Sequence, residues 1–248
     1  ILLALTVSIT GLGIRYPADY WYGAGVPMLW LQILFSLLAG AAFLVVNQKL
    51  ETIRPARLDL FIFAVLWIGA AWFWAQEPIT ANYFMPDTAD NIIYPYSDGA
   101  TFDTGAQFAL IGQGVFNGTF FERSLYSVFL VYLHLLLGQD FTPLMAAQAA
   151  LFAVLPALIY LIGRELHSRA LGISVGILLA IRGVNAIAAA KWIDTASPKM
   201  VLTDFPTAIG IAIFLLLLLK WLKEPKRVGR LAWAGAVCAL TFMLRSNV

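Results

Sequence analysis

The sequence predicts an all-α, polytopic integral membrane helical bundle with an acidic loop on its outer side. Three observations predict it. Of the 248 residues, 61% are hydrophobic and only 12% charged, where soluble domains carry roughly 25% charged residues. So little polar surface suits lipid as the solvent. Apolar runs recur at 1–14, 26–46, 58–75, 141–163, 169–189, 206–222 and 229–248, and a crossing needs roughly 20 residues. Finally, basic residues gather in short loops between these runs, which the positive-inside rule places in the cytosol.

Taken in order, the first run is short because the chain begins within it. The segment 15–25 follows, with Tyr16, Tyr20, Trp21 and Tyr22 as an interfacial aromatic belt. Lys49, Arg54 and Arg57 separate the second and third runs, and Arg164 and Arg169 the fourth and fifth. Lys220, Lys223, Lys226, Arg227 and Arg230 separate the sixth and seventh. With all three clusters inside, 15–25, 76–140 and 190–205 lie outside. The apolar piece 124–137, SLYSVFLVYLHLLL, is then no ordinary crossing. It lies along the outer surface or dips in and returns, as an amphipathic or re-entrant helix with aromatic anchors. A genuine short crossing there would put Arg164 and Arg169 outside, against the charge rule. The chain divides into N-terminal helices over 1–75, an outer loop over 76–140, and further spans over 141–248. Both ends fall inside apolar runs, so the sequence reads as part of a longer protein.

Between Arg57 and Arg123 there is no Lys or Arg, while Asp87, Asp90, Asp98 and Asp103 fall in this stretch. Pro78, Pro86 and Pro95 predict irregular backbone first. Asp98 then caps a predicted helix with Phe102, Ala106, Ala109 and Leu110 on its apolar face, ended by Gly112, Gly114 and Gly118. The run GQGVFNG follows a helix rather than opening one after a strand, so it is not a nucleotide-binding fingerprint. Asn117-Gly118-Thr119 is a formal glycosylation sequon.

Several functions are disfavoured by composition. No basic cluster is interleaved with aromatics, which argues against nucleic acid. A single cysteine, Cys238, makes neither an internal disulfide nor a cysteine-based metal site. His134 and His167 fall in different segments, so neither a paired-histidine metal site nor a Ser-His-Asp arrangement is expected.

The chemistry-bearing candidates are acids and cations. Asp98 and Asp204 both fall at the outer edge of the predicted bilayer, each next to a helix. Two carboxylates in one interfacial cleft suit acid–base work on an attacking hydroxyl, or a metal. The plainer role for each is a helix N-cap. Asp103, five residues after Asp98, points off that face and is expected to be solvated. Asp87 and Asp90 form a DxxD spacing that suits a divalent cation, though two acids without further ligands fit a solvated loop better. Arg182 and Arg245 lie within apolar runs, where an arginine costs on the order of 3 kcal/mol. With Lys191 and Lys199 they make four outer cations that suit a lipid phosphate or diphosphate. Snorkelling to head groups is the alternative, and it is favoured for Arg182.

From Asp98 onward the order of motifs resembles the GT-C superfamily of membrane glycosyltransferases. The branch is the one holding protein O-mannosyltransferases and the lipid A aminoarabinose transferase. Asp98, Phe102 and Ala106 fit the register of that family's first outer helix. The segments YSVFLVYLHLLLG, YLIGRELHSRA, TDFPTAIGIAIF and LRSNV follow in the family's order. Gly99 stands where the family has Glu, and two spans precede the one leading into the acidic loop where the family has one in total. The resemblance implies transfer of a sugar from a polyprenyl-phosphate donor to an outer acceptor at a bacterial cytoplasmic membrane. It makes Asp98 the base, Asp204 the second acid, and the cations near Arg245 the cradle for the leaving phosphate. The alternative expectation is a non-catalytic membrane subunit on a similar scaffold, with membrane-protein partners. A transporter ranks last, since no inverted repeat is visible.

Overall fold

The structure is a computed structural model that describes residues 25–47, 55–79, 93–190 and 195–245. The first apolar run, the aromatic belt at 16–22, Asp87, Asp90 and Lys191 lie outside the described residues. Among the described residues the fold is all-α, with nine helices: α1 Trp30–Asn47, α2 Pro55–Gln76, α3 Asp98–Leu110, α4 Ser124–Leu137, α5 Phe141–Phe152, α6 Val154–Leu166, α7 Arg169–Ala189, α8 Asp204–Lys223 and α9 Val228–Phe242.

Five helical segments are long and apolar enough to cross a membrane: α1, α2, α5 with α6 over Phe141–Leu166, α7, and α8. They are compatible with an integral membrane protein. Their outward faces agree: Leu31, Leu60, Phe61 and Trp72 are each more than 60% exposed. Apolar cover of that extent would aggregate in water and is satisfied by acyl chains. The run at 141–163 forms two helices that meet at Ala153. Pro156 explains the break, because it offers no N–H to the carbonyl of Phe152 and its ring crowds that carbonyl.

Side-chain contacts set the direction of each helix. Asp59 in the second turn of α2 meets Arg164 at the end of α6 and Arg169 at the start of α7, at 2.6 and 2.7 Å. Lys223 at the end of α8 reaches Glu165, 2.8 Å away. These contacts define a basic end. At the opposite end Gln32 on α1 bonds Asn185 on α7. The spans therefore alternate, and 77–140 begins and ends at one end of the bundle. So α4 does not carry the chain across, as the charge pattern requires. Gly40 makes the α1–α7 crossing tight, since a Cβ there would lie 2.6 Å from the Ala170 carbonyl.

The core is densest at the acidic end. Trp74, Phe102, Tyr126, Leu130, Phe141 and Met145 are fully buried. A run of aromatic rings joins α4 to the spans. Tyr126 stacks on Phe129 at 5.9 Å, Phe129 on Phe152 at 5.5 Å, and Phe152 on Phe205 at 6.2 Å. Such pairs add roughly 0.5–1.5 kcal/mol each beyond the area they bury. The helices outside the spans are thus anchored to α5 and α8 by ring packing.

Candidate functional site

The acidic end is assembled from three pieces of chain: α3, α4, and the segment 197–204 that leads into α8. Ser97 enters α3 with φ 56° and ψ −134°, a conformation that costs an L residue on the order of 1–3 kcal/mol. Asp98 follows as the first helical residue rather than the cap. The cap position is Ser97, which makes no side-chain cap bond, and Asp98 is exposed. A carboxylate there is favoured by the helix dipole. Gly99 is buried, and a Cβ on it would meet Pro95 at 3.2 Å and Val201 at 3.3 Å. That close approach sets the start of α3 against the segment carrying Asp204.

Gln148 on α5 holds that segment in place. Its Nε2 donates to the carbonyls of Pro198 and Met200 at 3.0 and 2.8 Å, and its Oε1 accepts the Tyr126 hydroxyl proton at 2.7 Å. Burial pushes the Tyr126 phenol well above its ordinary range, and the charges of Asp103 and Asp204 push it further. The backbone N–H of Leu202 hydrogen-bonds to the phenol oxygen and opposes this. Both acids therefore act on one buried hydroxyl. Gln148→Leu is expected to leave the Tyr126 hydroxyl proton and two carbonyls without partners, at about 1–3 kcal/mol for each buried group stranded. The measurement is hydrogen exchange over 197–203, which should speed up in the variant while exchange at the basic end stays as in the parent.

Asp204, like Asp98, is the first residue of its helix rather than the cap, which is Thr203. Asp204 forms an ion pair with Arg245. The last apolar run was expected to be helical to 248, but α9 ends at Phe242, so Arg245 lies past the helix rather than deep within it. Both side chains are 37% exposed. The predicted acid and cation are thus brought together, and Arg245 needs no snorkelling to find a counter-charge. Arg182, in the second half of α7, is half-buried, and no hydrogen bond or ion pair joins it to these groups among the described residues.

Two expectations are corrected. Lys199 is buried and not part of an anion cradle. Its Nζ donates to the carbonyls of Ala75 at 2.8 Å and of Glu77, so it caps the end of α2. Helix C-termini leave carbonyls without partners, and a lysine satisfies them. Burial also holds its ammonium below the usual lysine range, against the Glu77 charge. Asp103 is not solvated either. Its side chain is 15% exposed and lies 2.7 Å from Nε2 of His134, whose own side chain is wholly buried. The expectation that Asp103 points to water failed because α4 covers that side of α3.

Sequence reasoning missed His134, Tyr126 and Gln148. A signal existed for the first two: Tyr126, Leu130 and His134 recur at every fourth residue and form the buried stripe of α4. A polar group on such a stripe requires a partner.

No family model, curated protein or solved structure matches this chain. Function must therefore be argued from the site. Among the described residues no three His, Cys, Asp or Glu side chains form a metal-binding group. What the arrangement offers is an exposed carboxylate at Asp98, a carboxylate–guanidinium pair at Asp204 and Arg245, and a packed scaffold of α3, α4 and α5 behind them.

Proposed function

We propose that this chain is a membrane glycosyltransferase that moves a sugar from a polyprenyl-phosphate donor to an acceptor hydroxyl on the extracytoplasmic side of a bacterial cytoplasmic membrane. One observation carries the proposal. The packing of Gly99 on Val201 sets the start of α3 against the segment that leads into α8, at the end of the bundle where Asp204 holds Arg245. An exposed base and a held guanidinium then lie at one end, next to helices that lipid can reach.

The chemistry assigned to them is a single displacement. Asp98 takes the proton of the acceptor hydroxyl as its oxygen attacks the anomeric carbon. The bond from that carbon to the phosphate oxygen breaks, and polyprenyl phosphate leaves with the electron pair. Arg245 neutralises the phosphate, and Asp204 orients the guanidinium through the ion pair. The sugar class, the acceptor and any divalent cation are set by groups beyond these three. The resemblance to the GT-C superfamily supports the donor class and the membrane.

The second reading is a non-catalytic subunit of a membrane complex, and Gly99 favours it. Where the family carries a second acid, this chain has a buried glycine with neighbours 3.2–3.3 Å from its missing Cβ. No carboxylate fits there without moving Val201. One experiment separates the readings. Purified protein is offered polyprenyl-phosphate sugars, and both donor binding and transfer are measured. Enzyme activity should fall in Arg245→Gln, with donor binding weaker by about 10-fold or more, the 1.5–3 kcal/mol of a charged hydrogen bond. A parent protein that binds no polyprenyl phosphate and transfers nothing identifies the subunit.

A further inference from the structure

The buried pair between α3 and α4 has a protonation state dictated by its neighbours. His134 Nδ1 lies 3.0 Å from the carbonyl oxygen of Gly138, and Nε2 lies 2.7 Å from Oδ1 of Asp103. A carbonyl oxygen only accepts, so Nδ1 must carry a proton. Nε2 faces a carboxylate, so a second proton lies between it and Oδ1. The imidazole side chain is wholly buried, leaving no water to replace either bond. Gln107 Nε2 points at Oδ2 of Asp103 from 3.4 Å and donates to Gln139 Oε1 at 2.8 Å. With donors on both its oxygens, Asp103 is the ionised member, and His134 is an imidazolium.

We propose that Asp103 and His134 form a proton-held clip that locks α3 to α4 and lets the outer helix pair loosen when the proton leaves. The groups around it are few. From α3 come Asp103 and the neutral Gln107. From the turn after α4 come the Gly138 carbonyl and Gln139. From α5 comes the ring of Phe141, edge-on at 5.6 Å. Asp140, at the start of α5, is occupied as the cap of that helix, accepting the N–H of Thr142. Among the described residues, the one formal charge acting on the imidazole is therefore that of Asp103. Loss of the proton leaves a ring lone pair facing either the carboxylate or the carbonyl at hydrogen-bond distance, which is repulsive. The α3–α4 contact must then open, or His134 must turn out of its site.

The sign follows from the same bonds. Burial lowers the basicity of His134, but the Asp103 hydrogen bond, the Gly138 carbonyl and the Asp103 charge outweigh it, so its pKa is raised from 6.5. A raised histidine pKa stabilises the fold fully below the unfolded value and loses that contribution as pH rises through the folded value. The clip is thus shut below pH 6.5 and opens as pH rises through the raised value of His134. This site lies on α3, five residues after Asp98, so opening would move the proposed base. The clip itself does not depend on sugar transfer.

The test uses the full chain in micelles with nitrogen-15 histidine, which gives two pairs of ring signals, one pair removed by His134→Gln. His134 should show both ring nitrogens protonated below pH 6.5 and titrate above that value. Asp103→Asn should move that titration downward, and amides of α3 and α4 should lose protection in the parent as His134 titrates. Each unit of raised pKa corresponds to about tenfold in that protection. In His134→Gln the protection should not depend on pH beyond intrinsic exchange. A His134 that is neutral at pH 6.5 or below, or a titration unmoved by Asp103→Asn, overturns the clip. PH-dependent protection that persists in His134→Gln overturns its role in holding the helices.

Discussion

Asp98→Asn is expected to cut sugar transfer by about 10²–10⁴-fold, the usual worth of a positioned general base, while leaving the fold intact. The two outcomes separate because of where Asp98 sits. It is the first residue of α3 and exposed, and no hydrogen bond or ion pair engages its carboxylate among the described residues. Removing its charge costs the helix only the dipole term, about 0.3–1 kcal/mol. Asparagine keeps the size of the side chain and suits a helix start. A fall in transfer with an unchanged melting profile therefore reports chemistry. Asp204→Asn should behave differently, since it removes the partner of Arg245 and is expected to weaken donor binding as well as turnover. Transfer by Asp98→Asn at the parent rate would remove Asp98 from the mechanism and leave Gly99, with no room for a second acid, as the stronger fact about this helix.

The contrast between Asp98 and Lys199 shows what sequence can carry. Helix α7 spans 169–189 and α4 spans 124–137, the same bounds that hydropathy and charge punctuation give. Both are legible because a long apolar run between charged turns leaves one way to satisfy its backbone in lipid. The meeting of Asp204 with Arg245, 41 residues apart, follows from alternating spans: the start of α8 and the end of α9 must lie at the same end. Lys199 gave no such clue. Its partners are main-chain carbonyls at Ala75 and Glu77, and no side chain marks a carbonyl that lacks a partner. The strained Ser97 is silent for a related reason, since a serine in a turn suggests an ordinary one. His134 was legible as a polar residue on an apolar stripe, but its partner lies 31 residues away on another helix. Pro156 does mark the break at Ala153. The apolar run across it is long enough to be mistaken for one straight helix.

At the basic end, Asp59→Asn is expected to be the most destabilising single change in the bundle outside its apolar core. Asp59 accepts from the Tyr160 hydroxyl at 2.8 Å, from Arg164 at 2.6 Å and from Arg169 at 2.7 and 3.2 Å. Its side chain is 9% exposed and those of the two arginines 22% and 27%. Asparagine keeps the shape but leaves the mostly buried Arg169 guanidinium without a carboxylate and Arg164 with Glu165 alone. Stranding buried charge in this way costs about 3–5 kcal/mol. Water at the membrane edge relieves part of it, so about 3 kcal/mol is expected. For a chain of this length that is a fall of roughly 6–12 °C in melting temperature, read by thermal unfolding in a fixed detergent. Tyr160→Phe removes one hydrogen bond and no charge, and should cost about 1 kcal/mol. Pairing Asp59→Asn with Arg169→Gln should recover part of the loss, because the cation left without a carboxylate goes too. Arg164 keeps Glu165, which also holds Lys223, so the second arginine retains a carboxylate when Asp59 is neutral. Full additivity of the two substitutions would show that the three charged groups do not act as one cluster. The joining of α2, α6 and α7 would then rest on apolar packing alone, with Gly163 and Gly172 in near backbone contact as its closest point.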